Sequence, residues 1–326
     1  MRDNNNTFLK FLKDWMLVIG ILAGIGLYFA YRAMPVLHPA APVFVKIIKT
    51  AQPVLLFMML FLSFCKIEPR RMKPRRWMAE LLAFQCLIFA VLAILLIFVP
   101  DIPFRMGIEA AMLCFICPTA TACAVVTGKL GGDMAGVVTY TVLINIATAI
   151  LVPLAVPLIH PMEGLNFVSA FAKILAKVFP LLIMPCLLAW FVRYCLPGVH
   201  AFLLRYTGLS FYIWAVSLTL AILMSTRAIW HNEGSAIVLV EIAVASLAAC
   251  AIQFAAGRKI GARHGCLITA GQSLGQKNTV FGIWMGYTFM TPVVSVAGGF
   301  YSIWHNCYNT WQLYKKRKAD EAASGC

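Results

Sequence analysis

Long apolar stretches separated by short polar or basic segments run the length of the chain. Charge-free runs occupy residues 15–31, 51–65, 81–100, 110–128, 134–162 and 206–226, and a membrane-spanning helix needs about 20 mainly apolar residues. Three further regions fit the same description. Residues 178–191 follow Lys173 and Lys177, whose stems can snorkel toward an interface from the start of a helix. Residues 242–257 lie between Glu241 and Arg258. Residues 278–314 are too long for one span and contain Pro292, Gly298 and Gly299, so the run divides near Thr291. The pattern predicts ten transmembrane helices in an all-α integral membrane protein.

Composition and charge sharpen that picture. With 62% apolar and 12% charged residues, against about a quarter charged in soluble domains, a water-soluble globule is excluded. The 27 Lys and Arg against 12 Asp and Glu leave a net charge of +15. A nucleic-acid-binding face would cluster those cations on one solvated stripe; here they lie between the apolar runs. Cytoplasmic ends hold most basic residues of a membrane protein. With ten spans and both termini cytoplasmic, that side carries Arg2, Lys10, Lys13, Lys66, Arg70, Arg71, Lys73, Arg75, Arg76 and Lys129. It also carries Arg193, Arg205, Arg258, Lys259, Arg263, Lys315, Lys316, Arg317 and Lys318, against Arg32, Arg105 and Arg227 opposite.

A multi-pass protein of the cytoplasmic (inner) membrane is therefore predicted, with the lipid bilayer and no nucleic acid as partner. The basic N-terminus with its apolar run has the look of a secretory signal, but it is long and lacks a small-x-small cleavage site, so a first transmembrane helix is expected. The 11 cysteines are scattered through apolar stretches and read as buried thiols, neither disulfides nor a metal site. Cys117 and Cys123 would suit a soft metal or arsenite chemically, but their spacing matches no recognised metal pair. No His/Asp cluster or phosphate loop suggests an enzyme, and no cofactor is implied.

A shift of about 155 residues carries the first predicted helix onto the sixth and Cys117-Pro118 onto the 271–275 stretch. Five helices followed by five, an odd number, would make residues 160–326 an inverted copy of residues 1–159. The fourth and ninth spans are the ones that would struggle to stay helical. Pro118 removes a backbone donor and clashes with the preceding turn. The ninth span, Gly271-Gln272-Ser273-Leu274-Gly275-Gln276-Lys277-Asn278-Thr279, places glycines and polar groups at membrane depth. Unwound backbone there is tolerated where it packs in protein or lines a water-filled cavity, and paired broken helices point to a transport site.

These residues resemble the bile acid:sodium symporter family. The resemblance rests on Leu56-Phe57-Met58-Met59 with the basic Arg70 to Arg76 loop, on Cys117-Pro118 with Thr121-Ala122, on Gly275-Gln276-Lys277-Asn278, and on Tyr301-Ser302-Ile303-Trp304-His305-Asn306. It implies ten helices in two inverted repeats, with broken helices four and nine crossing in a core of roughly 77–159 plus 236–313. A panel of roughly 15–66 plus 166–228 would stand beside the core, with an organic anion between them, bile-acid-like or a small carboxylate. It also implies two sodium ions on oxygen ligands.

Carried across, the sodium ligands are eroded. Cys123-Ala124 stand where the family has Ser-Asn, Val137 where it has a serine, Ser273 where it has a glutamate and Lys277 where it has a glutamine; Thr141 and Gln85 are retained. The expected activity is therefore alternating-access transport in which Lys277 stands in for a sodium ion. Alternatives are a sodium-coupled symporter with altered sites and, from another class, a channel or non-catalytic membrane protein. The expected substrate and ion site comprises Lys277, Asn278, Gln276, Ser273, Thr279, Thr119, Thr121, Cys123, Thr141, Gln85, His305 and Asn306. Lys277 could instead be a structural pin on carbonyl groups, and His305 and Asn306 could be polar packing residues. Glu241, which the repeat shift aligns with Gln85, could pair with Lys277 or relay protons, or could be solvated at its own end of the helix.

Overall fold

The computed structural model describes residues 2–206, 208–231 and 236–324. Met1, Gly325 and Cys326, and with them the predicted cytoplasmic placement of the extreme termini, lie outside the described residues, as do the side chains of Arg2, Lys10 and Lys13. The first part of the chain forms α1 (Arg2–Ala33), α2 (Ala41–Cys65), α3 (Arg76–Phe98), α4 (Arg105–Ile116), α5 (Cys123–Lys129) and α6 (Met134–Ile159). There follow α7 (Phe167–Leu182), α8 (Met184–Cys195), α9 (Pro197–Arg205), α10 (Leu209–His231), α11 (Ala236–Arg263), α12 (Leu267–Gly275), α13 (Thr279–Phe289) and α14 (Val296–Ser324). Short 3-10 turns lie at Pro35–Ala40, Pro69–Arg71 and Pro292–Ser295.

The chain is an all-helical, multi-pass membrane protein. Among the described residues, seven helical segments are long and apolar enough to cross a bilayer: Trp15–Ala33, Pro35–Cys65, Arg76–Phe98, Met134–Ile159, Phe167–Cys195, Leu209–His231 and Ala236–Arg263. The predicted fourth and ninth spans are absent from that set because each is broken into two short helices, α4 with α5 and α12 with α13. The predicted tenth span lies within α14, whose Asn, His and Gln residues and charged last third dilute its apolar character.

Local chemistry fixes the ends of several helices. Asp133 accepts from Ala135 N at 3.0 Å and Gly136 N at 3.1 Å and so starts α6, while Asn166 accepts from Ser169 N at 2.9 Å and starts α7. Such caps satisfy the donors that a helix leaves free in its first turn. Pro180 near the end of α7 and Pro185 at the start of α8 lie on either side of the interruption at Ile183, as ring closure at proline removes the donors a continuous helix would use.

Two groups of helices pack within themselves and are joined to each other by α6 on α7 and by α10 on α13 and α14. In one, α1 packs on α10, α10 on α2, and α2 on α7 and α8. In the other, α11 packs on α4, α12 and α14, α3 on α4 and α6, and α13 on α14. The α11–α12 contact is close because Gly257 and Gly261 carry no side chain. A Cβ at Gly257 would sit 2.7 Å from Ala270 O, and one at Gly261 would sit 2.7 Å from Cys266 O. Without a hydrophobic drive between helices in lipid, such close backbone approach supplies packing energy instead. Gln272 Nε2 adds bonds to Asn309 Oδ1 at 3.1 Å and Gln312 Oε1 at 2.8 Å, tying α12 to α14.

Candidate functional site: two broken helices that cross

The two unwound segments meet in mid-chain register. Thr119 and Lys277 form an antiparallel bridge, with Ala120 N donating to Gln276 O at 2.9 Å and Asn278 N to Pro118 O at 2.8 Å. Each half-helix would otherwise leave its last carbonyls bare in a low-dielectric interior, where an unmade bond costs about 1–3 kcal/mol. The structure provides partners for them. At the end of α4, Leu113 O accepts from Cys117 N, Cys114 O from Gln253 Nε2 at 3.4 Å, Phe115 O from Gln85 Nε2 at 2.6 Å and Ile116 O from Thr148 Oγ1 at 2.9 Å. Cys117 O takes a second bond from Gln85 at 3.2 Å. At the end of α12, Ser273 O accepts from Thr119 Oγ1 at 2.7 Å and Gly275 O from Tyr301 OH at 2.8 Å.

Two tyrosine–glutamine pairs complete this support. Tyr140 OH donates to Gln85 Oε1 at 2.8 Å beside the end of α4, and Gln253 Nε2 donates to Tyr301 OH at 3.0 Å beside the end of α12. Gln85 thus holds backbone with its amide nitrogen while its oxygen accepts from Tyr140. Thr119 Oγ1 donates to Ser273 O, and Thr141 Oγ1 donates to Val137 O on its own helix at 2.9 Å.

Several polar atoms at the crossing have no partner. Lys277 is 1% exposed, and its Nζ is without a hydrogen-bond acceptor, as are the donor Asn278 Nδ2 and the groups Ser273 Oγ, Gln276 Oε1 and His305 Nδ1 without partners of their own. Asn278 Oδ1 meanwhile caps α13 by accepting from Phe281 N at 3.2 Å. No carboxylate pairs with Lys277 among the described residues. Buried polar groups normally find partners, so unpaired ones gathered at a helix break mark a place that something else completes.

A cavity of about 480 Å³ lies against the crossing. Thr121, Thr141, Gln276, Lys277, Asn278, Thr279, His305 and Asn306 line it, with Met59, Leu60, Phe64, Phe211 and Trp214 as an apolar wall and Lys66 near its rim. No Asp or Glu is among its lining residues. Lys66 follows the last residue of α2, and desolvation by burial lowers its pKa from the ordinary lysine value. Of the expected site residues, Gln85, Thr119, Cys123 and Ser273 are buried behind this surface and do not line the cavity. Cys123 Sγ is 3.9 Å from Thr127 Oγ1, and Asn306 Nδ2 donates to Ser302 O at 2.7 Å.

The expected pairing of Glu241 with Lys277 is not what the structure has. Glu241 Oε1 accepts from Gly107 N at 2.7 Å, where the first turn of α4 presents free donors, a position that favours negative charge. Sequence reasoning missed Gln253, Tyr140, Tyr301 and Thr148, whose bonds join residues far apart in the chain. It also missed Glu109, which begins just before the apolar run at residue 110 yet is fully buried. Among the described residues, no group of three or more His, Cys, Asp or Glu is placed to hold a metal ion.

No protein-family model matches the chain, and none of the curated proteins compared with it matches either.

Proposed function

We propose that this chain is a secondary carrier of an organic anion, built like the bile acid:sodium symporters but not driven by sodium. The observation that carries this reading is the unpartnered, buried amino group of Lys277, set where two broken helices cross and lining a cavity with an apolar wall and no carboxylate. An isolated charge in a membrane interior is costly and marks substrate or ion pathways by default. A monoanion with an apolar body satisfies both parts of the cavity: its charge meets Lys277 and Asn278 Nδ2, and its body meets Phe64, Phe211 and Trp214.

The inverted five-helix repeat is supported by the paired devices at the crossing, Gln85 with Tyr140 and Gln253 with Tyr301. Counting each broken pair as one crossing, α7 with α8 as another and α14 as the last, and leaving aside the nine-residue α9, which is too short to span, gives the ten-helix plan. The contact sets support a panel of α1, α2 and α7–α10 beside a core of α3–α6 and α11–α14. With the basic loops cytoplasmic, the cavity, whose rim includes Lys66, faces the cytoplasm. Alternating access then moves the core against the panel.

Sodium fits this crossing poorly. A hard cation requires several oxygen ligands, whereas Cys123, Ala124 and Val137 offer none in their side chains, Gln85 Oε1 already accepts from Tyr140, and the amino group of Lys277 stands at the centre. The test is a thermal-shift screen in detergent with a conjugated bile acid and a short monocarboxylate, each in sodium and in potassium, followed by uptake into proteoliposomes. Stabilisation and saturable uptake that are equal in the two salts support the reading. Saturable dependence on sodium overturns its uncoupled part, and flux that does not saturate makes the protein a channel.

A further inference from the structure

At the end of the molecule away from the cavity lies a second polar cluster. Glu109, in the first turns of α4, is a carboxylate with no exposed surface. Its Oε1 lies 2.8 Å from His160 Nε2, just past the end of α6, and accepts from Thr291 N at 3.1 Å; its Oε2 accepts from Thr291 Oγ1 at 3.3 Å. Thr291 joins α13 to the Pro292–Ser295 turn. One carboxylate thus ties three elements together, including the far halves of both broken helices. Nearby, Ser225 Oγ of α10 meets Ser295 Oγ at 3.3 Å, so this same end closes the seam between the two helix sets.

An ionised carboxylate only accepts, so a neutral His160 carries its hydrogen on Nε2 and leaves Nδ1 free to take a proton. The imidazole side chain is 23% exposed and so reaches water, while Glu109 does not. Apart from His160, no charged or titratable group on the neighbouring elements bonds Glu109 among the described residues. Glu241 of α11 bonds Gly107 N, Arg105 of α4 donates to Leu96 O and Pro100 O, and Lys177 of α7 lies over the Phe289 ring. Tyr301 of α14 bonds Gly275 O, and neither Tyr287 of α13 nor Asp101 beyond α3 bonds Glu109. Among the described residues, His160 is the sole cation partner for Glu109.

We propose that Glu109 and His160 form a proton-binding site that holds this end of the protein shut. One proton passes from a hydronium ion in the adjoining water to the lone pair of His160 Nδ1; an O–H bond of the hydronium breaks, the Nδ1–H bond forms and a water molecule is left. With it, the buried cluster is a neutral carboxylate–imidazolium pair. Without it, the cluster is a buried anion served by neutral donors alone, and a buried uncompensated charge drives its surroundings to open toward water. Because the packed cluster binds the proton better than the hydrated one, low pH favours the closed end and high pH the open one. The inference stands on this cluster and does not depend on which ligand the cavity takes.

The experiment places a cysteine at Ser295, which is fully buried at the seam, and measures its modification by a maleimide in nanodiscs. Each rate is resolved by peptide mass spectrometry and divided by that of a cysteine at Val36, which is 88% exposed, so that thiol ionisation cancels. The normalised rate at Ser295→Cys should rise severalfold from about pH 6 to about pH 8. Adding His160→Gln should give the fast rate at both pH values, and adding Glu109→Gln the slow rate at both. A flat profile in Ser295→Cys alone, or an unchanged rise after His160→Gln, overturns the proposal. His160 is partly exposed, so its variant remains informative if Glu109→Gln fails to fold.

Discussion

Replacing Lys277 by methionine separates binding from stability, because the two respond in opposite directions. Met keeps the length of the side chain and leaves the backbone bridge to Thr119 intact, but removes a buried ammonium that has no partner. A lysine at membrane depth costs about 2.5–3.5 kcal/mol on insertion scales, and the variant regains much of that in the unliganded protein. Relief of about 2 kcal/mol in a chain of this size raises the unfolding midpoint by about 2–4 °C. A charge-assisted hydrogen bond to an anion contributes about 1.5–3 kcal/mol, so the same change weakens anion binding by about 10- to 150-fold. Thermal unfolding in detergent, with and without the stabilising anion found by the screen, measures both quantities on one sample. The expected result is a variant that melts higher alone and no longer gains from the anion. A variant that melts several degrees lower, with anion affinity unchanged, would show that the ammonium is a structural pin and would refute the reasoning.

Other consequences follow from the crossing and its supports. Gln85→Leu strips three bonds from a fully buried site and exposes Phe115 O and Cys117 O, so it should destabilise by about 2–4 kcal/mol, whereas Tyr140→Phe, which frees one acceptor, should cost about 1 kcal/mol; denaturation midpoints in detergent rank the two. Gly257→Leu forces a side chain into the contact with Ala270 O and should prevent α11 and α12 from packing, which reduced yield and a lost monodisperse peak in size-exclusion chromatography would reveal. The combined Ser273→Glu, Lys277→Gln change restores a carboxylate and removes the ammonium at the crossing. It should create sodium-dependent stabilisation that the parent protein lacks, and equal melting in sodium and potassium would count against the substitution of a cation by Lys277.

The breaks themselves were legible along the chain. Pro118 and the Gly275-Gln276-Lys277-Asn278 run interrupt apolar stretches with backbone-specific chemistry, a local property that sequence carries directly. Their supports were not. Gln253 and Tyr301 lie 48 residues apart and Thr291 lies 182 residues from Glu109; no local pattern says that such residues meet. Glu109 illustrates the difficulty, since a glutamate at the border of an apolar run looks like a solvated helix end until His160 and Thr291 arrive from other helices. Glu241 shows the converse: it stands beside an apolar run like a candidate partner for Lys277, yet its carboxylate accepts from Gly107 N in the first turn of α4.

What the sequence determined by itself is the membrane environment, the helical class and the positions at which helices fail, because hydropathy, proline and glycine act within a few residues of where they stand. The tertiary structure alone decided which orphaned carbonyls each buried donor serves, and that Lys277 is left without an acceptor beside a cavity. Those outcomes depend on contacts between different helices, from 26 residues apart for Tyr301 and Gly275 to 154 for Thr119 and Ser273, where burial strips away water and makes every unpaired polar group costly.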